Sequence, residues 1–378
     1  MSSAPPKSPR LPAPLVLGLV ALAVYLALPL ERYFSDSFYL VDRVEVGAPP
    51  YYNVAYVPLG RLVDLALGSW LGTERALEVL SALAAAGAVG LTVGIARRLG
   101  LGGLAQAATG LLLLAAPGCL FFAGVIEVHA VQLFGAALSL RLALAAGRAR
   151  GAVAWLLFVA AALVAMTTHL SHLLYLPGLL ALAWGREDED PGPGGMLDRG
   201  SEHRVGLAFG QAGVPWLLGL GLGLTAVIVL LVRADFDSWS VHPALQWLGT
   251  LIVFGRTFVF SLWERGLFTF GESLDYLRVE LLGAHGLLVL GFAAGLWSSF
   301  ALEDGACRRL ARRGLVASLP LLLVLPQGGV LEHGGYFLTL APLMALQLGI
   351  VLGHRRHGST PAIVAALMVL TQLALGLR

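Results

Sequence analysis

The run Leu11–Leu30, LPAPLVLGLVALAVYLALPL, decides the fold class, and Glu31-Arg32-Tyr33-Phe34-Ser35-Asp36-Ser37 marks where it ends. A helix rises about 1.5 Å per residue, so about 20 apolar residues cross about 30 Å of hydrocarbon. Lys7 and Arg10 precede the run. Such flanks also suit a signal peptide, but the run is long and more apolar stretches follow. The expectation is therefore an uncleaved first membrane helix.

The rest of the chain agrees. Of 378 residues, 57% are hydrophobic and 13% charged, and the mean hydropathy is +0.80. Soluble domains carry about 25% charged residues. So few charges leave no way to cover a soluble surface, which excludes soluble enzymes and disordered chains. Lys7 is the only lysine among 25 basic residues, and the arginines form no patch for a polyanion, so no nucleic-acid partner is expected. The 47 glycines suit close helix packing in lipid, although genome composition would give the same count. Cys119 and Cys307 fall near opposite faces of the expected topology, too far apart to pair.

Further spans are expected to begin near Ala76, Leu101, Leu120, Gly151, Ser171, Gly213, Leu281, Gly314, Tyr336 and Pro361. Basic residues concentrate at 7–10, 97–98, 141–150, 186–204, 308–313 and 355–356, which the positive-inside rule places in the cytoplasm. Parity then makes 245–262, with Arg256, an interfacial or re-entrant segment on the outer side. The expectation is an all-α polytopic bundle of about eleven spans plus that segment, with the N-terminus inside. On this topology the inner side is net basic and the outer side net acidic. His129, His169, His172, His242 and His333 fall with the acids.

No repeat of fixed period and no inverted symmetry is visible. Glu187-Asp188-Glu189-Asp190 and the Pro-Gly-Pro-Gly-Gly after it read as a solvated connector. It divides the chain into a six-span module over 1–184, a cytoplasmic linker over 185–212 and a helical module over 213–378.

Candidate chemistry lies on the outer side. The loop over 31–75 carries Asp36, Asp42, Arg43 and Glu45, then Ala48-Pro49-Pro50-Tyr51-Tyr52-Asn53 and an amphipathic stretch, Val54–Leu71. A carboxylate at the membrane boundary is placed to act as a general base towards a hydroxyl. A helix cap or a solvated charge is the plainer reading of any one of these acids. Glu127 falls about seven residues, near 10 Å, into the expected fourth span, where a carboxylate faces a cavity or a partner. His129 then lies about 200° around that helix from Glu127, on another face. His169 and His172 sit in an outer turn, and with Glu332-His333 they invite a metal reading. Their spacing is not diagnostic, and bonds to water or backbone carbonyls are the default.

Several stretches carry a resemblance: Asp36-Ser37-Phe38-Tyr39, then Tyr51-Tyr52-Asn53-Val54-Ala55-Tyr56-Val57-Pro58-Leu59-Gly60-Arg61, Glu127-Val128-His129-Ala130 and Thr168-His169-Leu170-Ser171. A long helix ending in an acidic motif, then an aromatic and proline-bearing loop and an amphipathic stretch, resembles the GT-C superfamily of polytopic glycosyltransferases, which includes bacterial relatives of the protein O-mannosyltransferases. The likeness is good over 11–184 and rests on span pattern beyond it. Relatives often have His-Pro or His-Asn where this chain has Tyr51-Tyr52-Asn53.

The resemblance implies a sugar donor on polyprenyl phosphate at the outer leaflet, a lipid, glycan or protein acceptor, and inversion at the anomeric carbon. It implies Asp36 as the base, with Glu127 as the second candidate catalytic residue. Asp42, Tyr52, Asn53, His129 and His169 are candidate substrate-binding residues. His333 and Tyr336 match in type the basic residue and tyrosine that contact the donor phosphate in relatives, and Arg256 and Arg265 are alternative phosphate partners. No cofactor or metal is expected. The implied location is the cytoplasmic (inner) membrane, with the active face outside. The rivals are a transporter or flippase of a lipid-linked glycan, and a non-catalytic partner subunit. A transporter would place charges near the bilayer midplane, whereas polar residues here crowd the outer boundary.

Overall fold

The computed structural model describes residues 12–28, 36–47, 55–149, 152–169, 171–184, 269–302, 305–328, 334–354 and 360–376. Among the described residues the chain is helical and has no strand. Helix α1 (Ala13–Ala27), built from the opening apolar run, packs along α4 (Thr73–Arg98). Small residues make that contact: Gly18 faces Ala86 and Gly90, and a Cβ on Gly90 would press on the Pro14 carbonyl. Here glycine is needed for close approach, as the packing reading expects.

Between them the described residues of the 31–75 loop are largely helical. Helix α2 (Ser37–Val46) was not legible as a helix, because its four charged and hydroxyl residues mask a short amphipathic pattern. Leu40, Val41 and Val44 form its buried stripe. It ends at Gly47, whose left-handed φ of 78° closes the last turn. Helix α3 (Tyr56–Leu71) matches the amphipathic stretch read over Val54–Leu71. Tyr56, Val57 and Gly60 are buried against its neighbours, while Leu62, Leu65 and Trp70 are exposed. That is the form of a helix lying along an interface.

The next stretch departs from expectation. Instead of two spans beginning near Leu101 and Leu120, α5 (Gly103–Leu114) and α6 (Pro117–Gly124) form a pair bent by 58°. Pro117 lacks a backbone N–H and drives Ala116 out of the helical region, to φ −62° and ψ 131°. An extended turn at Val125–Glu127 follows, and a new helix, α7 (Val128–Ala149), begins directly after it. Helices α8 (Ala152–Thr168) and α9 (Ser171–Trp184) then pack on α7.

After the linker come α10 (Phe270–Tyr276), a π-helical turn over Leu277–Gly283, a 3₁₀ turn over Gly286–Val289 and α11 (Leu290–Ala301). Then follow α12 (Gly305–Gly328), a 3₁₀ segment over Gly335–Leu340, α13 (Ala341–His354) and α14 (Thr360–Gly376). Helix α12 packs on α9, where Gly178 lies too close to Ala317 to admit a Cβ, and α13 packs on α5. The described helices on both sides of the linker therefore share one apolar core.

Among the described residues three helical stretches are long and apolar enough to cross a membrane: Thr73–Arg98, Val128–Gly147 and Gly335–Gly353. The bent α5–α6 pair makes a fourth if it counts as one span. Shorter apolar helices lie at Ala13–Ala27, Ala152–Thr168, Leu174–Ala183, Gly286–Ala301 and Pro361–Leu375. The protein is thus an all-α membrane bundle, and helix length among the described residues does not confirm the expected count of about eleven spans. The linker, the expected span at Gly213 and segment 245–262 lie outside the described residues. Both cysteines are buried and free.

Candidate active site

Four chain reversals meet at one end of the bundle: the start of α2, the turn before α7, the turn between α8 and α9, and the 3₁₀ segment. Ser37 Oγ donates to the Ile126 carbonyl at 2.7 Å, and the Asp36 N–H donates to Glu127 Oε1 at 3.3 Å. The Ala55 N–H donates to the Thr167 carbonyl at 3.2 Å, tying the start of α3 to the end of α8. These bonds tie the starts of α2 and α3 to the turn before α7 and the end of α8.

Asp36 stands at the N-cap position of α2, yet its side chain makes no capping bond. The cap explanation for this acid is thereby removed. Glu127 is 3% exposed and lies in the extended turn, not inside a helix. The expectation of a carboxylate seven residues down a span is corrected, because the break at Val125–Glu127 restarts the helix one residue after it. Its second oxygen accepts from the Val128 N–H at 2.7 Å. Burial raises the Glu127 carboxyl above its usual range, with the nearby Asp36 adding to the rise; His129 and the two backbone N–H groups pull it back. The separation of Glu127 and His129 onto different faces is corrected for the same reason: the turn brings them within electrostatic reach.

Behind the two acids lies a buried polar network. Gln132 is fully buried and donates to Ser171 Oγ at 2.6 Å and to Thr339 Oγ1 at 2.7 Å. Its oxygen faces His129 Nδ1 at 2.8 Å. A carboxamide oxygen only accepts, so His129 Nδ1 carries a proton. Gly335 lies against that ring, and a Cβ there would overlap it. His169 Nδ1 accepts from the Ser171 N–H at 3.2 Å and lies 2.9 Å from Ser171 Oγ. Burial first, and then His129 and His172, hold the His169 imidazole well below its usual pKa, hence neutral.

Tyr336 closes the group, with its ring 4.8 Å from that of His169 and 5.9 Å from that of His129. The two imidazoles are 5.0 Å apart. His169 and His129 are therefore buried and bonded to side chains, which corrects the default of interfacial histidines on water or carbonyls. His172 turns aside to Tyr175, 5.8 Å between ring centres. Among the described residues no three His, Cys, Asp or Glu side chains are grouped to hold a metal ion.

The structure thus brings together Asp36, Glu127, His129, His169 and Tyr336. Asp42 lies exposed on α2. Tyr52, Asn53, Arg256, Arg265 and His333 lie outside the described residues. Sequence reading missed Gln132 and Thr339, polar residues set directly between apolar neighbours in Val131-Gln132-Leu133 and Leu338-Thr339-Leu340, which is itself the signal that marks such residues.

No family model and no curated protein matches the chain. Similar solved structures include the oligosaccharyltransferase of Archaeoglobus fulgidus, in complex with zinc and sulfate, at 15% identity and a TM-score of 0.56. That alignment covers 97% of this chain and 52% of that one. ArnT from Cupriavidus metallidurans is similar in its apo state, at 18% identity and a TM-score of 0.54, covering 93% of this chain and 61% of that one. ArnT bound to undecaprenyl phosphate gives 17% identity and a TM-score of 0.58, covering 93% and 62%. Both neighbours are GT-C superfamily glycosyltransferases. This chain shares its fold with these neighbours, and it spans about half to three-fifths of their length.

Proposed function

We propose that the chain is a membrane glycosyltransferase that moves a sugar from a polyprenyl-phosphate-linked donor to an acceptor at the extracytoplasmic face of the cytoplasmic membrane. The observation that carries this reading is the junction of Asp36 and Glu127 at the end of the helices. A lipid-anchored donor keeps its phosphate at the bilayer boundary, so the base and the donor have to meet at helix ends. The undecaprenyl phosphate held by the neighbouring ArnT structure supports a donor of this class.

In the proposed reaction Asp36 takes the proton of the acceptor hydroxyl as its oxygen attacks the anomeric carbon. The bond from that carbon to the phosphate oxygen breaks with inversion, and polyprenyl phosphate departs with the electron pair. Glu127 fixes Asp36 through the backbone. His129, His169 and Tyr336 form the wall that meets the donor. Tyr52, Asn53 and Asp42 are proposed as further substrate contacts, and Arg256, Arg265 and His333 as phosphate partners. The proposed organisation keeps residues 1–184 as the unit bearing the site, 185–212 as its cytoplasmic connector and 213–378 as the second helical unit.

Purified protein in lipid nanodiscs, given polyprenyl-phosphate sugars and a crude cell-envelope acceptor fraction, should release polyprenyl phosphate. Mass spectrometry of envelope glycans from a deletion strain should show one sugar missing. Movement of donor across a vesicle membrane with no release of polyprenyl phosphate would sink the transferase reading in favour of a flippase.

A further inference from the structure

The π-helical turn over Leu277–Gly283 carries Glu280, which is 3% exposed and belongs to none of the groups above. Its Oε2 accepts from the Gly334 N–H at 2.7 Å, across 54 residues of chain. Gly334 has a left-handed φ of 77°, and a Cβ there would overlap the Glu280 carbonyl. Two residues later the same segment presents Tyr336 to His129 and His169.

Other contacts make this a clamp. The Tyr276 ring, just before the π turn, meets the Phe337 ring at 6.3 Å. After the turn, fully buried Gln372 of α14 accepts from the Leu287 N–H and donates to the His285 carbonyl, both at 2.7 Å. A π turn inserts one residue into the helical repeat and re-aims the side chains after it. Here the π turn is flanked on both sides by these contacts, and Glu280 bonds to Gly334, the residue just before the 3₁₀ segment.

We infer that Glu280 is a positioning residue of the proposed transfer site: by holding Gly334 it sets the register of Gly335 and Tyr336 against the two histidines, and so shapes the donor-binding wall. This inference rests on the transferase reading for its kinetic consequence but not for its structural one.

The test uses Glu280→Met and Glu280→Gln in the full chain. An amide oxygen still accepts the Gly334 N–H, whereas a thioether of similar length leaves that N–H buried and unpaired, at a cost of about 1–3 kcal/mol. Hydrogen exchange of the 334–337 amides should speed up about five- to hundredfold in Glu280→Met and stay near wild type in Glu280→Gln. The KM for donor should rise in the Met variant alone, with the acceptor KM unchanged and the melting temperature no more than modestly altered. Unchanged exchange in Glu280→Met would overturn the inference. So would a Gln variant as impaired as Met, since that would mean the carboxyl takes part directly. Altered exchange in a protein whose wild type releases no polyprenyl phosphate would leave the positioning role standing and defeat the transferase reading.

Discussion

The backbone N–H of Asp36 bonds to the side chain of Glu127, 91 residues further along the chain. The bond joins the end of the first apolar run to the turn before α7. It places one acid, half-buried, beside another that is buried, and on the proposed reading it divides their work: Asp36 takes the proton while Glu127 holds the backbone that carries it.

Asp36→Asn is expected to lower transfer about 10²–10⁴-fold, because the amide keeps the shape but takes no proton. Asp42→Asn and Glu45→Gln, both on the exposed face of α2, should lose far less. Release of polyprenyl phosphate measures all three. Near-normal turnover in Asp36→Asn alongside a dead Glu45→Gln would move the base to another residue.

Glu127→Gln should stabilise the protein at neutral pH while slowing transfer. The folded-state pKa of Glu127 lies above its usual value, chiefly through burial, so the wild type loses stability as pH rises through that range. The amide variant has no such titration. Its melting-temperature advantage should therefore shrink as pH falls and Glu127 becomes protonated in both states. An advantage independent of pH would show that desolvation is not the cause.

Gln132→Leu leaves Ser171, Thr339 and His129 without the partner they share. Unfolding free energy should fall by about 1–3 kcal/mol, since buried polar groups are left unpaired. Donor affinity should fall with it, because His129 loses the bond that fixes its tautomer. Denaturant titration with parallel donor binding would show the two losses together; stability lost without a change in donor binding would place the network outside the site.

Impermeant thiol reagents applied to intact cells should label Glu45→Cys and not Arg98→Cys. Both positions are exposed, one in the last turn of α2 and the other at the end of α4. Labelling of position 98 alone would invert the orientation of the whole bundle.

The apolar runs were enough, by themselves, to establish an all-helical membrane protein. Burial in lipid leaves the backbone only helix-like solutions, so composition and period suffice for that much. The amphipathic stretch ending at Leu71 was legible for the same reason: one stripe of Tyr56, Val57 and Gly60 and an opposing stripe of Leu62, Leu65 and Trp70 can be read from spacing. Helix breaks were not. The bend at Ala116–Pro117 and the restart at Val128 depend on which backbone groups find partners in neighbouring elements, and that information is not local. Those breaks turned Glu127 from a residue inside a span into one that touches Asp36, and put His129 beside it. Tertiary packing alone brought Gln132, Ser171, Thr339 and Tyr336 into one network, because the contacts join residues up to 207 apart and no periodicity in a single segment records where another segment will lie.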